Sequence, residues 1–258
     1  KEAAAQSLRK ALEIKPDLQQ AQRGTIMLDV DGKNYQSAIA TARTMQAQGP
    51  NQAVGYVLEG DINATEKKWD AAGAAYRNGL KQTSSTELAL KLHNVLMASG
   101  KTAEADQFSS KWQKEHPQDA TFLLYLADGA IARKDYPLAE RNYQAVLKLQ
   151  PKNAVAYNNL AWVTAKLNKD GAIAYAEKAL AKNPRLPWAS TAVLQVQAAR
   201  KLWLPAAQTL EQQGRSGLLA REDAARKRAA MLTAEAIALE EQDRSRALDL
   251  ASDALKLD

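Results

Sequence analysis

The sequence has no cysteine, and it has little histidine and phenylalanine. Two His and two Phe occur among 258 residues. The absence of Cys excludes a disulfide framework, a thiolate metal site and a cysteine nucleophile, and two histidines leave little imidazole for metal binding or general-base catalysis. Aromatic residues make up only 6% of the chain, whereas alanine is abundant, which favours closely packed helices over sheets. We therefore expect an all-α protein that binds no metal and needs no cofactor.

Charge of a single sign and long apolar runs are also missing. The net charge is +6, but 35 basic residues are interleaved with 29 acidic ones, so a nucleic-acid or anionic-membrane partner gains little support. No stretch of eighteen uncharged apolar residues occurs, and the first residues lack the apolar core and cleavage site of a signal peptide. We expect no nucleic-acid partner and no insertion of this chain into a membrane, while the compartment stays open.

The sequence does contain an internal repeat. A proline or a turn-forming residue recurs every 33 or 34 residues, at Pro16, Pro50, Ser84, Pro117, Pro151 and Pro184. An alanine lies twelve residues before each of these positions, at Ala4, Ala38, Ala72, Ala105, Ala139 and Ala172. A fixed period of this length is typical of helical repeat proteins, in which each repeat is one supersecondary unit.

Each repeat is predicted to form two amphipathic helices, which we call helix A and helix B. In one repeat, helix A covers residues 120–133 and helix B covers residues 137–149, with a short polar break between them. Small residues such as Gly60, Ala161 and Ala172 are predicted to lie where two antiparallel helices cross closely, because larger side chains would force the helix axes apart.

The repeat resembles that of the tetratricopeptide family. The best match to the family motif consists of Tyr157, Leu160, Ala161, Ala172, Ala176, Ala179 and Pro184, and the repeats at 53–84 and 120–151 match nearly as well. The resemblance implies a right-handed α-solenoid of antiparallel helix pairs, the tetratricopeptide superhelix. It also implies a protein that binds other proteins and is not an enzyme.

The register predicts two regions within one solenoid. Residues 1–184 form an array that begins with an unpaired helix B at 2–14 and continues with five full repeats. Residues 185–258 form degenerate repeats, with helices expected at 188–200, 204–213, 222–242 and 245–257. The chain looks like an excerpt from a longer array, so its terminal helices are expected to expose apolar faces that associate end to end with another copy.

The two regions resemble different groups of tetratricopeptide proteins. Residues 1–184 are similar to the repeat lipoproteins of bacterial PEP-CTERM, exosortase-linked sorting systems. Residues 188–258 are similar to the C-terminal repeats of HemY-type proteins, which are associated with heme biosynthesis. Together these resemblances imply a bacterial parent protein in the periplasm or envelope, and they leave open an engineered fusion joined near residues 184–190.

In the tetratricopeptide fold, the A helices line a concave groove that binds ligands. The candidate ligand-binding residues in that register are Val57, Asp61, Asn94, Leu124, Asp128, Asn158, Trp162 and Lys166, and further groove positions are held by Val54, Leu90, Met97, Thr121, Ile131 and Val155. Trp162 is the strongest candidate, because a tryptophan offers a flat, amphipathic anchor. The alternative is that Trp162 packs between adjacent A helices.

Asn158 and Asn159 are adjacent in sequence, so we expect only one of them to face the groove. The family register favours Asn158, whose amide could pair with the backbone of an extended peptide. Some family members hold a C-terminal carboxylate with Lys, Asn and Arg on three successive A helices. Here Leu124 and Asp128 precede Asn159 at the corresponding positions, so we do not expect binding of that ligand.

Several other features have ordinary structural interpretations. The segment at residues 99–102 resembles part of a phosphate-binding loop, but it lacks the first glycine and the preceding strand, and a turn between helices is expected. His93 is predicted to be buried between helices, and His116 to end a helix. A basic cluster is expected to be a solvated helix face and consists of Arg215, Arg221, Arg226, Lys227 and Arg228.

The sequence therefore predicts a non-enzymatic scaffold that binds a protein or an extended peptide. Two alternatives from other classes stay open. One is an engineered or purely structural repeat scaffold with no evolved ligand for the assembled chain. The other is a helical repeat that binds nucleic acid, which would require a continuous basic groove and a strongly salt-dependent affinity.

Overall fold

The structure is a computed structural model that describes residues 2–257, and within that range it contains fifteen α-helices. Their bounds are α1 Glu2–Ile14, α2 Gln19–Asp31, α3 Tyr35–Gln48, α4 Ala53–Thr65, α5 Trp69–Gln82, α6 Thr86–Ala98, α7 Thr102–Glu115, α8 Ala120–Ala132, α9 Tyr136–Leu149, α10 Ala154–Lys166, α11 Ala172–Lys182, α12 Pro187–Ala199, α13 Trp203–Ser216, α14 Arg221–Leu239 and α15 Arg244–Leu255. The predicted all-α fold class is confirmed. The helices expected between residues 188 and 257 are present, with ends that differ by up to three residues.

The chain divides into two compact units, of which the first ends at Phe122 and the second begins at Leu123. The boundary lies inside α8. The sequence instead predicts a boundary near residue 184, where the repeat becomes degenerate, and that division stays a prediction.

In the first unit, even-numbered helices up to α6 are A helices and odd-numbered helices up to α7 are B helices. Each contacts its neighbours in sequence, and the short connections make consecutive helices antiparallel. The ladder alanines Ala38, Ala72 and Ala105 are fully buried, as expected for residues at a close helix crossing. Gly60 lies in the same kind of crossing, because a Cβ atom there would come within 2.0 Å of the Tyr76 ring.

The second unit continues the same alternation of helices through α15. One cluster of buried residues includes Ala139, Tyr143 and Leu160 from α9 and α10. A further cluster is built mainly from small residues of α10 to α12, among them Ala161 and Ala176. The last cluster joins α13, α14 and α15. The core is therefore a chain of local clusters, as expected where each repeat packs mainly on the next.

The turns between helices A and B share a backbone feature that the periodicity did not predict. Six of these turns contain a residue with a positive φ at the end of helix A, and these residues are Lys33, Lys67, Gly100, Lys134, Asn168 and Lys201. At Gly100, the Lys101 N–H donates to the Leu96 carbonyl at 2.9 Å and the Gly100 N–H donates to the Met97 carbonyl at 3.1 Å. This is the Schellman arrangement that ends helices. The expected turn at residues 99–102 is confirmed.

Ala172 departs from the predicted ladder. It is only partly buried, whereas Ala38, Ala72, Ala105 and Ala139 are fully buried, so its place at a close crossing stays a prediction. The other B helices with a buried ladder alanine begin three residues before it, as Tyr136 precedes Ala139, whereas α11 begins at Ala172 itself. The cause is Gly171, whose φ of +95° interrupts the helical backbone one residue earlier. Gly60 and Ala161 are buried as predicted.

Candidate functional site

Three polar side chains from successive helices meet in the second unit. Asp128 is the ninth residue of α8, Tyr143 the eighth of α9 and Asn159 the sixth of α10. The Tyr143 hydroxyl donates to Asp128 Oδ1. Asn159 Nδ2 donates to the Tyr143 hydroxyl at 3.1 Å and contacts Asp128 Oδ1 at 3.4 Å. The network fixes the orientation of an exposed carboxylate.

The electrostatics of this network keep the tyrosine neutral. Tyr143 has no solvent-exposed surface, and burial raises the pKa of its hydroxyl well above the ordinary value, with the Asp128 carboxylate adding to the effect. Tyr143 therefore remains a hydrogen-bond donor throughout the neutral range. Asp128 accepts its hydrogen bond while remaining open to solvent on the other side.

The carboxylate opens into a depression of about 420 Å³. Its lining comes from the A helices α8, α10 and α12 and consists of Asp128, Ile131, Asn158, Asn159, Trp162 and Trp188. Two indole rings and an aliphatic side chain supply apolar surface, while one carboxylate and two amides supply polar groups. A concave apolar surface with a few convergent polar groups is the usual form of a binding site.

Trp162 lines the depression and also packs against the start of a helix B. Its ring packs edge-on against Tyr136, with centroids 5.7 Å apart, and it also lines the depression. The Lys166 ammonium lies 5.2 Å from the centroid of the Trp162 ring, a cation–π distance. Trp188 is half buried and packs against the cluster of α10 to α12. Both indoles are therefore held in place while part of each faces the depression.

The expectation that only one of the two asparagines would face the groove is wrong. Asn158 and Asn159 both line the depression, and Asn158 Nδ2 donates to Asn159 Oδ1 at 3.1 Å. They are linked side by side because their amides are long enough to meet from adjacent positions. The Asn158 Oδ1 atom is buried and accepts no hydrogen bond from the described residues.

The other candidate residues do not join this site. Val57 is only 7% exposed and forms part of a hydrophobic cluster, which leaves little of it for a ligand. Asp61 and exposed Asn94 belong to the first unit. Leu124 packs against the cluster around Tyr143. Of the eight candidates, Asp128, Asn158 and Trp162 lie together, with Lys166 against the Trp162 ring.

A related network is present in the first unit. Asp61, Tyr76 and Lys91 occupy the ninth, eighth and sixth positions of α4, α5 and α6. The Tyr76 hydroxyl donates to Asp61 Oδ1 at 2.7 Å, and Lys91 Nζ donates to both Asp61 oxygens at 2.8 Å. Asp61 is thus held by a tyrosine, as Asp128 is, but its charge is balanced by a lysine.

Tyr143, Asn159 and Trp188 are site residues that the sequence analysis did not single out. A signal for the first was present, because the Asp61 and Tyr76 pair recurs 67 residues later as Asp128 and Tyr143. Trp188 is the second residue of α12, and it lies in the degenerate repeats, where the register is no longer regular. Asn159 was considered only as one position of the carboxylate-binding set, and Asn158 was favoured over it as the groove residue.

The first unit has a different depression, of about 450 Å³, beside the α5–α6 connection. Leu92, Phe108 and Trp112 supply its apolar lining, and Arg77 and Lys111 contribute charge. The His116 ring stacks on Trp112 with centroids 3.9 Å apart. This is the one junction in the proline ladder that carries Ser84 in place of proline.

The remaining predicted features lie elsewhere. His93 is buried, at 3% exposure, as expected. In the basic cluster, Arg226 pairs with Asp223 at 2.7 Å, and both Arg215 and Arg228 contact Glu211. Arg215 and Arg226 are solvated, whereas Arg228 is about one-third exposed and bridges α14 to α13.

Neither a metal site nor a membrane span is visible in the described part of the chain. Across residues 2–257, no group of three or more potential metal-binding side chains comes together. Within the same residues, no helix combines the length and the apolar character required to cross a bilayer.

Comparison with known proteins places the fold among tetratricopeptide proteins. No family model and no curated protein sequence matches the chain. Among solved structures, the C-terminal part of a TPR repeat-containing protein from Cytophaga hutchinsonii is similar with a TM-score of 0.54 and 14% identity, over 90% of this chain and 94% of that one. Yeast Tom70 is similar with a TM-score of 0.55 and 16% identity, over 95% of this chain and 52% of Tom70. The fold class is therefore the all-α solenoid of antiparallel tetratricopeptide helix pairs, as predicted.

Proposed function

We propose that this chain is a non-enzymatic scaffold that holds an extended peptide segment of a partner protein in the depression of the second unit. The observation that carries the proposal is the fixed Asp128 carboxylate beside Trp162 and Trp188 on three successive A helices. The indoles offer anchors for an apolar side chain or stem. The exposed Asp128 carboxylate offers an acceptor for donors of the peptide.

The test is a selection of peptides from a random display library on the full chain, followed by calorimetry with purified peptides. The double variant Trp162→Ala, Asn158→Ala is expected to bind the selected peptides at least about 30-fold more weakly, because removing a central anchor costs about 2 kcal/mol or more. The matched control is Leu90→Ala, Asn94→Ala, which changes the equivalent positions of α6 in the first unit and should alter affinity less than about twofold. Equal affinities for both double variants would contradict the proposal.

A second candidate role is end-to-end association between copies. It is supported by exposed apolar side chains, including Ile14 at 86% exposure, Ile237 at 69% and Leu255 at 78%. Ile237 and Leu255 line a depression of about 690 Å³ between α14 and α15. Sedimentation velocity over a range of concentrations should show association that Ile237→Asp reduces. A monomer at every concentration would contradict this role.

We propose that the chain comes from a bacterial envelope or export-associated protein. The sequence resemblance to PEP-CTERM-system lipoproteins and HemY-type proteins supports this proposal. The alternative is a fusion of two repeat arrays joined near residues 184–190, in which no ligand evolved for the assembled chain. A continuous genomic reading frame that encodes all 258 residues would exclude the fusion. Nucleic-acid binding has weaker support, because three arginines of the basic cluster are already paired with carboxylates.

A further inference from the structure

We infer that the depression of the second unit recognises a positively charged side chain of the partner, a lysine or an arginine, which pairs with the free oxygen of Asp128. The inference rests on the proposed function and names the chemistry of its ligand. Its basis is the difference between two equivalent networks within this chain.

The first unit contains its own cation. Asp61 and Tyr76 hold the same repeat positions as Asp128 and Tyr143, and Lys91 holds the same position as Asn159. Lys91 Nζ lies 2.8 Å from both Asp61 oxygens, while the Tyr76 hydroxyl donates only to Oδ1. In this arrangement the tyrosine hydroxyl binds Oδ1, and the ammonium group binds both Oδ1 and Oδ2. The second unit retains the hydrogen bond from tyrosine to aspartate but has asparagine in place of the lysine.

The second unit leaves the place of that ammonium group open. Tyr143 and Asn159 both contact Asp128 Oδ1. Asp128 Oδ2 receives no hydrogen bond from the described residues, and no Lys or Arg among residues 2–257 lies within 4.0 Å of the carboxylate oxygens. Asp128 is exposed, so a cation from another molecule can reach it. Because a neutral asparagine occupies the position equivalent to Lys91, the second unit has an accessible carboxylate where the first unit has an internal ion pair.

The residues around Asp128 also favour a cation more than the equivalent residues around Asp61 do. Trp162 and Trp188 flank the carboxylate in the depression, whereas the equivalent positions of the first unit are held by Asn94 and Thr121. Indole rings attract cations through their faces and also pack against the methylene stems of lysine and arginine. Lys166 lies near the Trp162 ring but does not line the depression, and as a like charge it weakens binding modestly.

A cation fits this lining better than the other ligand classes. An anionic group would be repelled by Asp128, which has no positive partner close by. A neutral apolar side chain would use the indoles but would leave the Asp128 oxygen without a partner and partly desolvate it, which is unfavourable. A lysine or arginine side chain satisfies both surfaces, because its stem is apolar and its head is a donor.

The test uses small probes and the full chain. N-acetyl-lysine methylamide, N-acetyl-arginine methylamide, N-acetyl-norleucine methylamide and norleucine methylamide with a free α-amine are titrated separately at low salt. The readout is the set of indole N–H signals in a ¹H–¹⁵N spectrum, with Trp162 and Trp188 assigned by Phe substitution. We expect the lysine and arginine probes to bind at least about fivefold more tightly than acetylated norleucine, with a difference that shrinks as salt rises. The free-amine probe separates side-chain recognition from recognition of a chain N-terminus.

A reciprocal pair of variants tests the comparison directly. Asn159→Lys supplies the missing internal cation and should reduce binding of the lysine probe at least about tenfold, while Asn159→Ala, which lacks a charge, should reduce it much less. Lys91→Asn in the first unit should leave the shifts of Trp162 and Trp188 unchanged. Unaltered thermal unfolding of each variant confirms that the fold is intact.

The outcomes separate this inference from the proposed function. Equal binding of the lysine and norleucine probes, or full binding by Asn159→Lys, would overturn the inference. If library peptides then still depend on Trp162 but carry no cation, the proposed function stands with another ligand. If neither probes nor library peptides affect Trp162 or Trp188, both fail.

Discussion

The two Asp–Tyr networks lie in two stretches of one chain that fold alike and differ in charge. In both, a tyrosine from helix B donates to an aspartate of the preceding helix A. Tyr76 and Tyr143 are almost completely buried, at 1% and 0% exposure, so the hydrogen bond satisfies a hydroxyl that would otherwise be unpaired in the core. The pairing therefore has a structural explanation that applies equally in both units.

The third residue is where the units diverge. Lys91 balances the charge of Asp61, whereas Asn159 adds a hydrogen bond and leaves Asp128 charged. A half-exposed ion pair such as that of Lys91 contributes at most about 1 kcal/mol to stability, so replacing it by an amide costs the fold little. Repeat proteins can vary such a position for binding, because packing does not depend on it. If the two units are otherwise equivalent, matched substitutions in them should have matched effects.

The largest effect on the free energy of unfolding is expected at the ladder alanines. Substitution by Leu should cost the same at Ala72 and Ala139 and much less at Ala172. Ala72 and Ala139 are fully buried, so substitution by Leu should lower the free energy of unfolding by about 2–3 kcal/mol through overpacking. Ala172 is half buried at the start of α11, and Ala172→Leu should cost less than about 0.5 kcal/mol. Urea unfolding measures all three, and a large loss at Ala172 would show that α11 packs in the common register.

A second prediction concerns the residue that faces each tyrosine ring. Gly60 is the eighth residue of α4, and Ala127 is the eighth of α8. A Cβ atom on Gly60 would lie 2.0 Å from Tyr76 Cε1, so Gly60→Ala must displace the ring and strain its hydrogen bond to Asp61. We expect a net loss of about 2 kcal/mol, because overpacking exceeds the gain of about 1 kcal/mol in helix propensity.

Gly73→Ala provides the control for the glycine substitution. Gly73 is also buried and helical, but a Cβ atom there would meet its nearest neighbour at 3.4 Å, an ordinary contact. This variant should be neutral or more stable by up to about 1 kcal/mol. If Gly60→Ala is equally harmless, the Tyr76 ring is free to move and the two networks differ in rigidity as well as charge.

The sequence could predict the helices because their signals are local. A proline such as Pro151 ends one helix pair, and a buried alanine such as Ala139 is required where two helices approach closely. The later start of α11, at Ala172, has a local cause too, since Gly171 adopts a positive φ that composition alone does not reveal. The register of the A helices also predicted Asp128 and Trp162 as groove residues, and both line the depression of the second unit.

The remainder of the site depends on contacts between helices that no periodicity encodes. Asn159 acquires its role because Tyr143, from the previous helix, reaches both it and Asp128. Trp188 joins the depression from α12, beyond the part of the sequence where the register was regular. Such residues are recognised only when three consecutive helices are placed together.

Alkaline pH should affect both units alike through their tyrosines. Burial, and then the neighbouring aspartate, raises the pKa of Tyr76 and of Tyr143 above the ordinary value of 10.0. Above pH 10 the unfolded chain loses these protons while the folded chain keeps them, so the free energy of unfolding falls by up to about 1.4 kcal/mol per pH unit for each tyrosine. Below pH 10 neither group contributes a slope.

Single Tyr→Phe variants isolate the two contributions. Denaturant unfolding between pH 9 and pH 11.5 should give a shallower fall for Tyr76→Phe and for Tyr143→Phe than for the wild type, since other titrating groups are common to all three proteins. Similar changes in slope support the equivalence of the networks. A change in only one variant would show that Lys91 or Asn159 alters the tyrosine as well as the aspartate.

The smallest effect is expected in the turns between helices A and B. Lys67 in the first unit and Lys134 in the second have φ values of +57° and +61°, where a side chain is strained and glycine is not. Lys67→Gly and Lys134→Gly should each raise the free energy of unfolding by less than about 1 kcal/mol, since the relief of strain is partly offset by the flexibility of glycine in the unfolded chain.

Lys67→Ala removes the charge but keeps the strain, so it should give no gain. The converse variant Gly100→Lys places a side chain where φ is +77° and should lose a comparable amount. A gain for Lys67→Ala equal to that for Lys67→Gly would assign the effect to charge, because both substitutions remove the ammonium group and only one relieves the backbone.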